Sequence, residues 1–149
     1  MILIAHRGNL EGPNSEYENR PEYIEEALSK KYDVEIDLWL IDGNYFLGHD
    51  GPEYPVKLEW LLRRSQSLWV HCKNVEAMSK LDPDYFNFFW HENDTVVLTS
   101  HCDLWAYPGK QPIKNSIAVM PEIHNDNLDF CKGICTDFVL KYKQELNKK

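Results

Sequence analysis

Val34-Glu35-Ile36-Asp37-Leu38-Trp39, then a turn at Asp42-Gly43-Asn44, then Tyr45-Phe46-Leu47-Gly48-His49-Asp50, is the stretch around which this chain is organised. Two acids alternate with apolar residues. In an extended strand side chains two apart point the same way, so Glu35 and Asp37 share one face and Val34, Ile36 and Leu38 the other. Like charges side by side on a strand are destabilising unless something cationic lies between them. A bound metal ion is therefore the first expectation.

Working outward, Ile2-Leu3-Ile4-Ala5 is a short apolar run of the kind buried on both faces of a sheet, and it ends in His6-Arg7-Gly8. Between the two strands, Asn19 is expected to cap a helix with Pro21 in its first turn and Glu22 at the capping-box position. Tyr23, Ile24, Ala27 and Leu28 form its apolar stripe. Strand, helix, strand is the unit of a parallel sheet.

The rhythm continues downstream. Helices are predicted over 56–64, over 75–81 behind an Asn74 cap with Ala77, Met78 and Leu81 inward, and over 139–149. Strands are predicted over 67–72, 117–120 and 133–137. Residues 86–90 and 95–99 read as either a hairpin or two barrel strands, 105–109 as turn-rich, and 128–131 as one helical turn. Seven or eight short strands, the early ones alternating with helices, predict an α/β fold in one domain spanning 1–149. The expected architecture is a reduced or incomplete (β/α)8 TIM-type barrel, since a full one needs about 250 residues. The alternative is an open, flavodoxin-like parallel sheet.

Composition narrows the function. A net charge of −8 speaks against nucleic acid or an anionic membrane surface as partner. It would also repel a phosphorylated substrate unless a cation reverses the local field. No stretch is long enough for a membrane span, and the N-terminal run is too short for a signal peptide. Cys72, Cys102, Cys131 and Cys135 are scattered with no CxxC, which predicts reduced thiols in a cytoplasmic protein.

Polar residues gather where predicted strands end: His6 and Arg7, Glu35 and Asp37, His71 and Lys73, then Glu122 and Asp137. In parallel α/β folds that end carries the active site. The other candidates have plainer readings: Cys72 as core, Trp105 and Tyr107 as packing, His124 as surface, and His91, Glu92 and Asp94 as a solvated turn at the mouth.

Ile4-Ala5-His6-Arg7-Gly8, then Tyr17-Glu18-Asn19, Glu35-Ile36-Asp37 and Gly48-His49-Asp50, resemble in order and spacing the glycerophosphodiester phosphodiesterases of the phospholipase C-like superfamily. Gly133-Ile134-Cys135-Thr136-Asp137 resembles the short strand closing that family's barrel; residues 71–122 match it poorly. The resemblance implies that Glu35 and Asp37 hold a divalent cation (Mg²⁺, Ca²⁺ or Mn²⁺), that His6 and His49 are the acid–base pair, and that Arg7 and Lys73 contact the phosphate. The chemistry agrees. Splitting a phosphodiester needs charge stabilisation on the phosphoryl oxygens, a base for the attacking hydroxyl and an acid for the leaving alcohol.

One position departs from the family. His71 stands where a third carboxylate is usual. Three outcomes follow: His71 ligates and biases the site towards Mn²⁺ or Zn²⁺, Glu122 supplies the missing oxygen, or the metal site is weakened or lost. The expected function is thus metal-dependent hydrolysis of a small-molecule phosphodiester, with a homodimer as one way to cover an incomplete barrel. The competing expectations are a catalytically inactive phosphoester-binding module on the same fold, and a structural zinc site using His71, Cys72, His101 and Cys102.

Overall fold

A computed structural model describes residues 1–148. The chain opens with strand β1 (Ile2–His6), helix α1 (Pro21–Ser29) and strand β2 (Asp33–Ile41). A hairpin through Asp42 and Gly43, both at positive φ (48° and 78°), leads to β3 (Asn44–Leu47) and then β4 (Tyr54–Val56). The positive angles suit Asp-Gly, the pair a two-residue hairpin favours. Helix α2 (Leu58–Leu62) and a 3-10 turn (Ser65–Ser67) precede β5 (Leu68–Cys72), and α3 (Val75–Lys80) precedes β6 (Asn87–Phe89). The second half holds β7 (Val96–Leu98), β8 (Leu104–Ala106), β9 (Ser116–Val119), a 3-10 turn (Pro121–Ile123), β10 (Gly133–Thr136) and α4 (Val139–Leu146).

The result is a mixed α/β protein with one curled sheet and few helices. Its parallel strands run β6-β5-β2-β1-β10-β9-β8, with β7 antiparallel on the β8 edge and β3-β4 an antiparallel extension of β2. The first and last parallel strands pair, Ala5 opposite Thr136, so neighbours in the sheet are neighbours in the chain all the way round. A flavodoxin-like sheet, ordered 2-1-3-4-5, has no such pairing. No strand ladder joins β6 to β7 or β8 among the described residues. The gap is spanned instead by the Ser100 N–H donating to the Phe88 carbonyl (2.8 Å) and the His101 N–H donating to Asn87 Oδ1 (3.2 Å). The sheet is compatible with an incomplete barrel.

The two faces carry two cores. Val34, Ile36 and Leu38 pack outward with Leu3, Ala5, Val70 and Ile134 against Ile24 and Ala27 of α1, Ala77 of α3 and Val139 of α4. Inside the curl lie Ile4, Trp69, Phe89, Trp105, Ile117, Val119 and Cys135. Glu35 and Asp37 sit on the opposite face of β2 from its outward residues, as alternation requires. Burying Ile36 fully is worth about 1.5–3 kcal/mol, and it turns the two acids away from the helices.

Several elements differ from expectation. The helix predicted over 56–64 shortens to Leu58–Leu62 because Tyr54–Val56 is spent as the outer strand of the hairpin sheet. Residues 86–90 and 95–99 do give two strands, but β7 pairs with β8, so Leu104–Ala106 is a strand within a stretch expected to be turn-rich. Residues 128–131 form a turn rather than a helical turn, and the short helix of this region lies at Pro121–Ile123. Met78 of α3 is 38% exposed, while Ala77 and Leu81 are buried as expected. The terminal helix ends at Leu146; Lys149 lies outside the described residues. All four cysteines are free thiols. No helix among the described residues is long and apolar enough to cross a membrane.

Candidate functional site

β1, β2, β5, β6, β8, β9 and β10 are parallel, so their C-terminal ends meet at one rim. His6 ends β1, and Asp137 follows β10 directly beside it. His6 Nδ1 donates to Asp137 Oδ1 at 2.8 Å. Asn9 Nδ2 donates to the same oxygen (2.8 Å) and to Glu18 Oε1 (2.8 Å). With Nδ1 committed, Nε2 is the free nitrogen, 3.9 Å from Glu35 Oε2. Burial pulls the His6 titration down, but the Asp137 hydrogen bond and the Glu35 charge outweigh it and leave it raised. Asp137 moves the other way: burial favours its neutral form, and the His6 bond overrides that to hold it below the ordinary carboxylate range.

Asp37 is wholly enclosed and saturated with partners. It receives Asn19 Nδ2 on Oδ2 (2.8 Å) and His71 Nδ1 on Oδ1 (3.0 Å), with Lys73 Nζ at 3.7 Å. Arg7 Nε lies 3.1 Å from Oδ2 as an ion pair without hydrogen-bond alignment, while Arg7 Nη1 donates to Glu18 Oε2 (3.1 Å). Burial would raise the Asp37 titration, yet the His71 bond and the Arg7 charge drive it well below the ordinary range. Glu35 is the contrast. Its carboxylate accepts only the Arg7 backbone N–H at 3.3 Å, with the His71 ring nitrogen 4.0 Å away. Burial and the neighbouring Asp37 charge push it up.

Glu35, Asp37 and His71 each place a ligand atom within 4.8 Å of the other two, and they are the only such group among the described residues. Two carboxylate oxygens and an imidazole nitrogen suit Mn²⁺ or Zn²⁺ better than an all-oxygen set would. Glu35, a buried acid that accepts no side-chain hydrogen bond and has His6 Nε2 at 3.9 Å and His71 Nδ1 at 4.0 Å, is what a bound cation would satisfy. The donor set therefore fits a divalent ion.

His49 reaches the site from the loop after β3. The Gly48 N–H donates to the Asp37 carbonyl (3.1 Å), and Trp39 Nε1 donates to the Gly48 carbonyl (2.7 Å). His49 Nδ1 donates to Asp50 Oδ1 (2.7 Å), with the His49 side chain 43% exposed. Gly48 has φ 148°, and a Cβ there would sit 2.1 Å from the Gly51 carbonyl oxygen. Gly48→Ala must displace the loop at a strain cost of about 1–3 kcal/mol. A lowered melting midpoint and a changed His49 ring environment by NMR would register it; an unchanged spectrum would mean the loop does not position His49.

A cavity of about 170 Å³ opens among these groups, lined by His6, Arg7, Glu35, His49 and His71 on one side and by Phe89, His91, Trp105, Tyr107, Val119 and Met120 on the other. Phe89 stacks on His71 (5.1 Å between centroids, 5° between planes) and Tyr107 on His91 (3.9 Å, 23°). Burial, then the charges of His71 and Lys73, lower the His91 titration. Burial raises that of the Tyr107 phenol.

The structure thus gathers His6, Arg7, Glu35, Asp37, His49 and His71 and brings Lys73 in through Asp37. It does not bring Glu122. That carboxylate accepts from Thr136 Oγ1 (2.8 Å) and the Tyr142 hydroxyl (3.4 Å), on the outward side of β10 under α4, because Thr136 alternates with the inward Cys135. Glu122→Gln is expected to leave Mn²⁺ affinity unchanged by isothermal titration and to lower stability by about 1 kcal/mol at most. The alternative zinc grouping is not assembled either: Cys72 is packed outward, and His101 Nε2 is bonded to the Pro83 carbonyl (2.8 Å).

Asn19 corrects a local expectation. It sits at φ 64° outside α1, whose N-cap is Arg20 with no side-chain cap bond, and its amide grips both the side chain and the backbone N–H of Asp37. From the sequence alone Asn9 and Glu18 carry no site role, Asn19 reads as a helix cap, His91 as part of a solvated turn at the mouth of the site, and Tyr107 as packing. Their signal was proximity to His6-Arg7 for the first, the Tyr17-Glu18-Asn19 fragment for the next two, and a strand end for the last two.

No known family model matches the chain, and no curated protein matches its sequence.

Proposed function

We propose that this chain is a small metal-dependent phosphodiester hydrolase of the glycerophosphodiester phosphodiesterase type, on a reduced (β/α)8 barrel. One observation carries the reading: His6 and His49, each bonded through Nδ1 to a carboxylate (Asp137 and Asp50), line one 170 Å³ cavity together with Glu35 and His71 of the Glu35, Asp37 and His71 cluster.

Glu35, Asp37 and His71 would hold the cation, which when bound supplies Lewis-acid charge stabilisation to the phosphoryl oxygens. Arg7 and Lys73, both beside Asp37, add positive charge at the same rim. Asp137 bonds Nδ1 of His6 and Asp50 bonds Nδ1 of His49, which leaves Nε2 of each ring free. Each ring can then take or give a proton at Nε2, one serving the attacking hydroxyl and the other the departing alcohol. Asp137 and Glu35 favour the charged form of His6, which suits it to the proton donor's part.

A second reading has its own observation. Arg7 and Lys73 already compensate the charge of Asp37 and His71 Nδ1 bonds it, an arrangement that also serves a phosphoester-binding module without turnover. Assaying glycerophosphodiesters with Mn²⁺, Zn²⁺, Mg²⁺ and Ca²⁺ separates the two. The enzyme reading expects metal-dependent release of alcohol, abolished by a chelator and highest with Mn²⁺ or Zn²⁺. Phosphoester binding with no turnover under any metal would overturn it.

A further inference from the structure

Asn19 precedes the N-cap of α1, sits at φ 64° and is 1% exposed. The backbone there needs no side chain, since glycine adopts a positive φ more readily. The amide nonetheless makes two bonds, both to one residue. Nδ2 donates to Asp37 Oδ2 (2.8 Å), and the Asp37 N–H donates to Oδ1 (3.0 Å). The Asn19 N–H donates in turn to the Arg7 carbonyl (3.1 Å), and the Arg7 N–H donates to the Glu35 carbonyl (3.0 Å). Asn19 is thus held by the backbone beside both acids and grips one of them.

The two oxygens of Asp37 consequently keep different company. Oδ2 accepts from Asn19 and has Arg7 Nε at 3.1 Å, whereas Oδ1 faces His71 Nδ1 at 3.0 Å and Lys73 Nζ at 3.7 Å. Glu35 is freer. Its Oε1 lies 4.0 Å from His71 Nδ1, and its Oε2, 3.9 Å from His6 Nε2, accepts only the Arg7 N–H at 3.3 Å. A cation in this cluster therefore meets one carboxylate that can offer two oxygens and one that can offer a single oxygen. Ca²⁺ takes about 6–8 oxygen ligands in a flexible shell and uses both oxygens of a carboxylate readily. A smaller ion such as Mn²⁺ is served by one oxygen of Asp37 beside the His71 nitrogen.

We infer that Asn19 is a positioning residue that sets the ion preference of the site: by occupying Oδ2 of Asp37 it leaves Oδ1 alone for the cation and favours Mn²⁺ over Ca²⁺. This rests on the metal reading of the Glu35, Asp37 and His71 cluster, but it concerns ion binding and is testable without turnover. Partners that orient a metal ligand typically change metal affinity about 10–100-fold when they are removed. Loss of the amide lets Asp37 turn, which weakens the hold on an ion bound through one oxygen. Ca²⁺ loses less, because its flexible shell takes up the freed Oδ2.

The experiment measures ion binding to the whole chain and to Asn19→Gly and Asn19→Ala. Mn²⁺ is followed by the electron paramagnetic resonance signal of the free ion, and Ca²⁺ by its displacement of Mn²⁺. Glycine suits the positive φ, and alanine separates loss of the amide from gain of chain flexibility. Near-UV circular dichroism like that of the wild type shows that each variant is folded. The wild-type chain is expected to bind Mn²⁺ tighter than Ca²⁺. Both variants should lose about 10–100-fold in Mn²⁺ affinity and about threefold or less in Ca²⁺ affinity, so the preference narrows. A merely structural residue would weaken both ions alike. An unchanged Mn²⁺-to-Ca²⁺ preference in either folded variant, or equal wild-type affinity for the two ions, would overturn the inference and leave the metal site standing. Binding of neither ion to the wild-type chain would overturn it together with the metal reading.

Discussion

His6→Ala is expected to lower phosphodiester turnover by about 10²- to 10⁴-fold, the usual worth of a positioned acid or base. Asp137→Asn should lose about tenfold or more, because an amide holds the imidazole in either tautomer and no longer supports its charge. The geometry makes the pair separable from general destabilisation. His6 Nδ1 and Asn9 Nδ2 converge on a single oxygen of Asp137, Oδ1, so Asn in its place keeps most of the packing and loses the charge. Steady-state rates across pH check the assignment. Both variants folded, with only kcat reduced and the pH profile altered, is the expected result; wild-type rates in His6→Ala would remove the histidine from the mechanism.

Asp37→Ala is expected to have the largest effect on stability, about 3–5 kcal/mol, the cost of removing one partner from a buried charge network. Arg7, Lys73 and His71 would then lose the carboxylate they share, and Asn19 would lose its partner at positive φ. Glu35→Gln should behave oppositely. Glu35 accepts a single long hydrogen bond and is disfavoured as a charge by burial and by Asp37, so the amide should cost little stability or even add some, while metal affinity falls sharply. Urea denaturation with and without Mn²⁺ measures both. In the wild type Mn²⁺ should raise the midpoint by mass action, and in Glu35→Gln that gain should vanish. Equal destabilisation by the two substitutions would contradict the division of labour between them.

Much of this was legible in the alternation of residues 34–38. It placed Glu35 and Asp37 together and turned Val34, Ile36 and Leu38 to the helices, because a period of two admits no other sorting. Strand ends then drew His6 and His71 to the same rim. What stayed hidden depended on distant pairing. Asp137 is 131 residues from His6, and only the β1–β10 ladder makes them neighbours. Asn19 looked like a helix cap because Asn commonly is one; the free amide went instead to the buried Asp37. Glu122 looked equivalent to Asp137, each being a polar residue close after a short apolar strand. The turn at Met120, with φ 41°, leads into the 3-10 helix that carries Glu122 to the outer face. The second half was hardest to read, since its strands are three or four residues long and β7 reverses direction.

The central claim is that Glu35, Asp37 and His71 hold a cation against which a phosphate is bound within reach of His6 and His49. A crystal soaked with Mn²⁺ and inorganic phosphate, phased on the manganese anomalous signal, tests it most directly. The predicted result is one strong peak about 2.0–2.3 Å from a carboxylate oxygen of Glu35, one of Asp37 and a ring nitrogen of His71, with a phosphate oxygen on the metal and both histidines facing the phosphate. A phosphate held by Arg7 and Lys73 with no manganese between the two acids would contradict it.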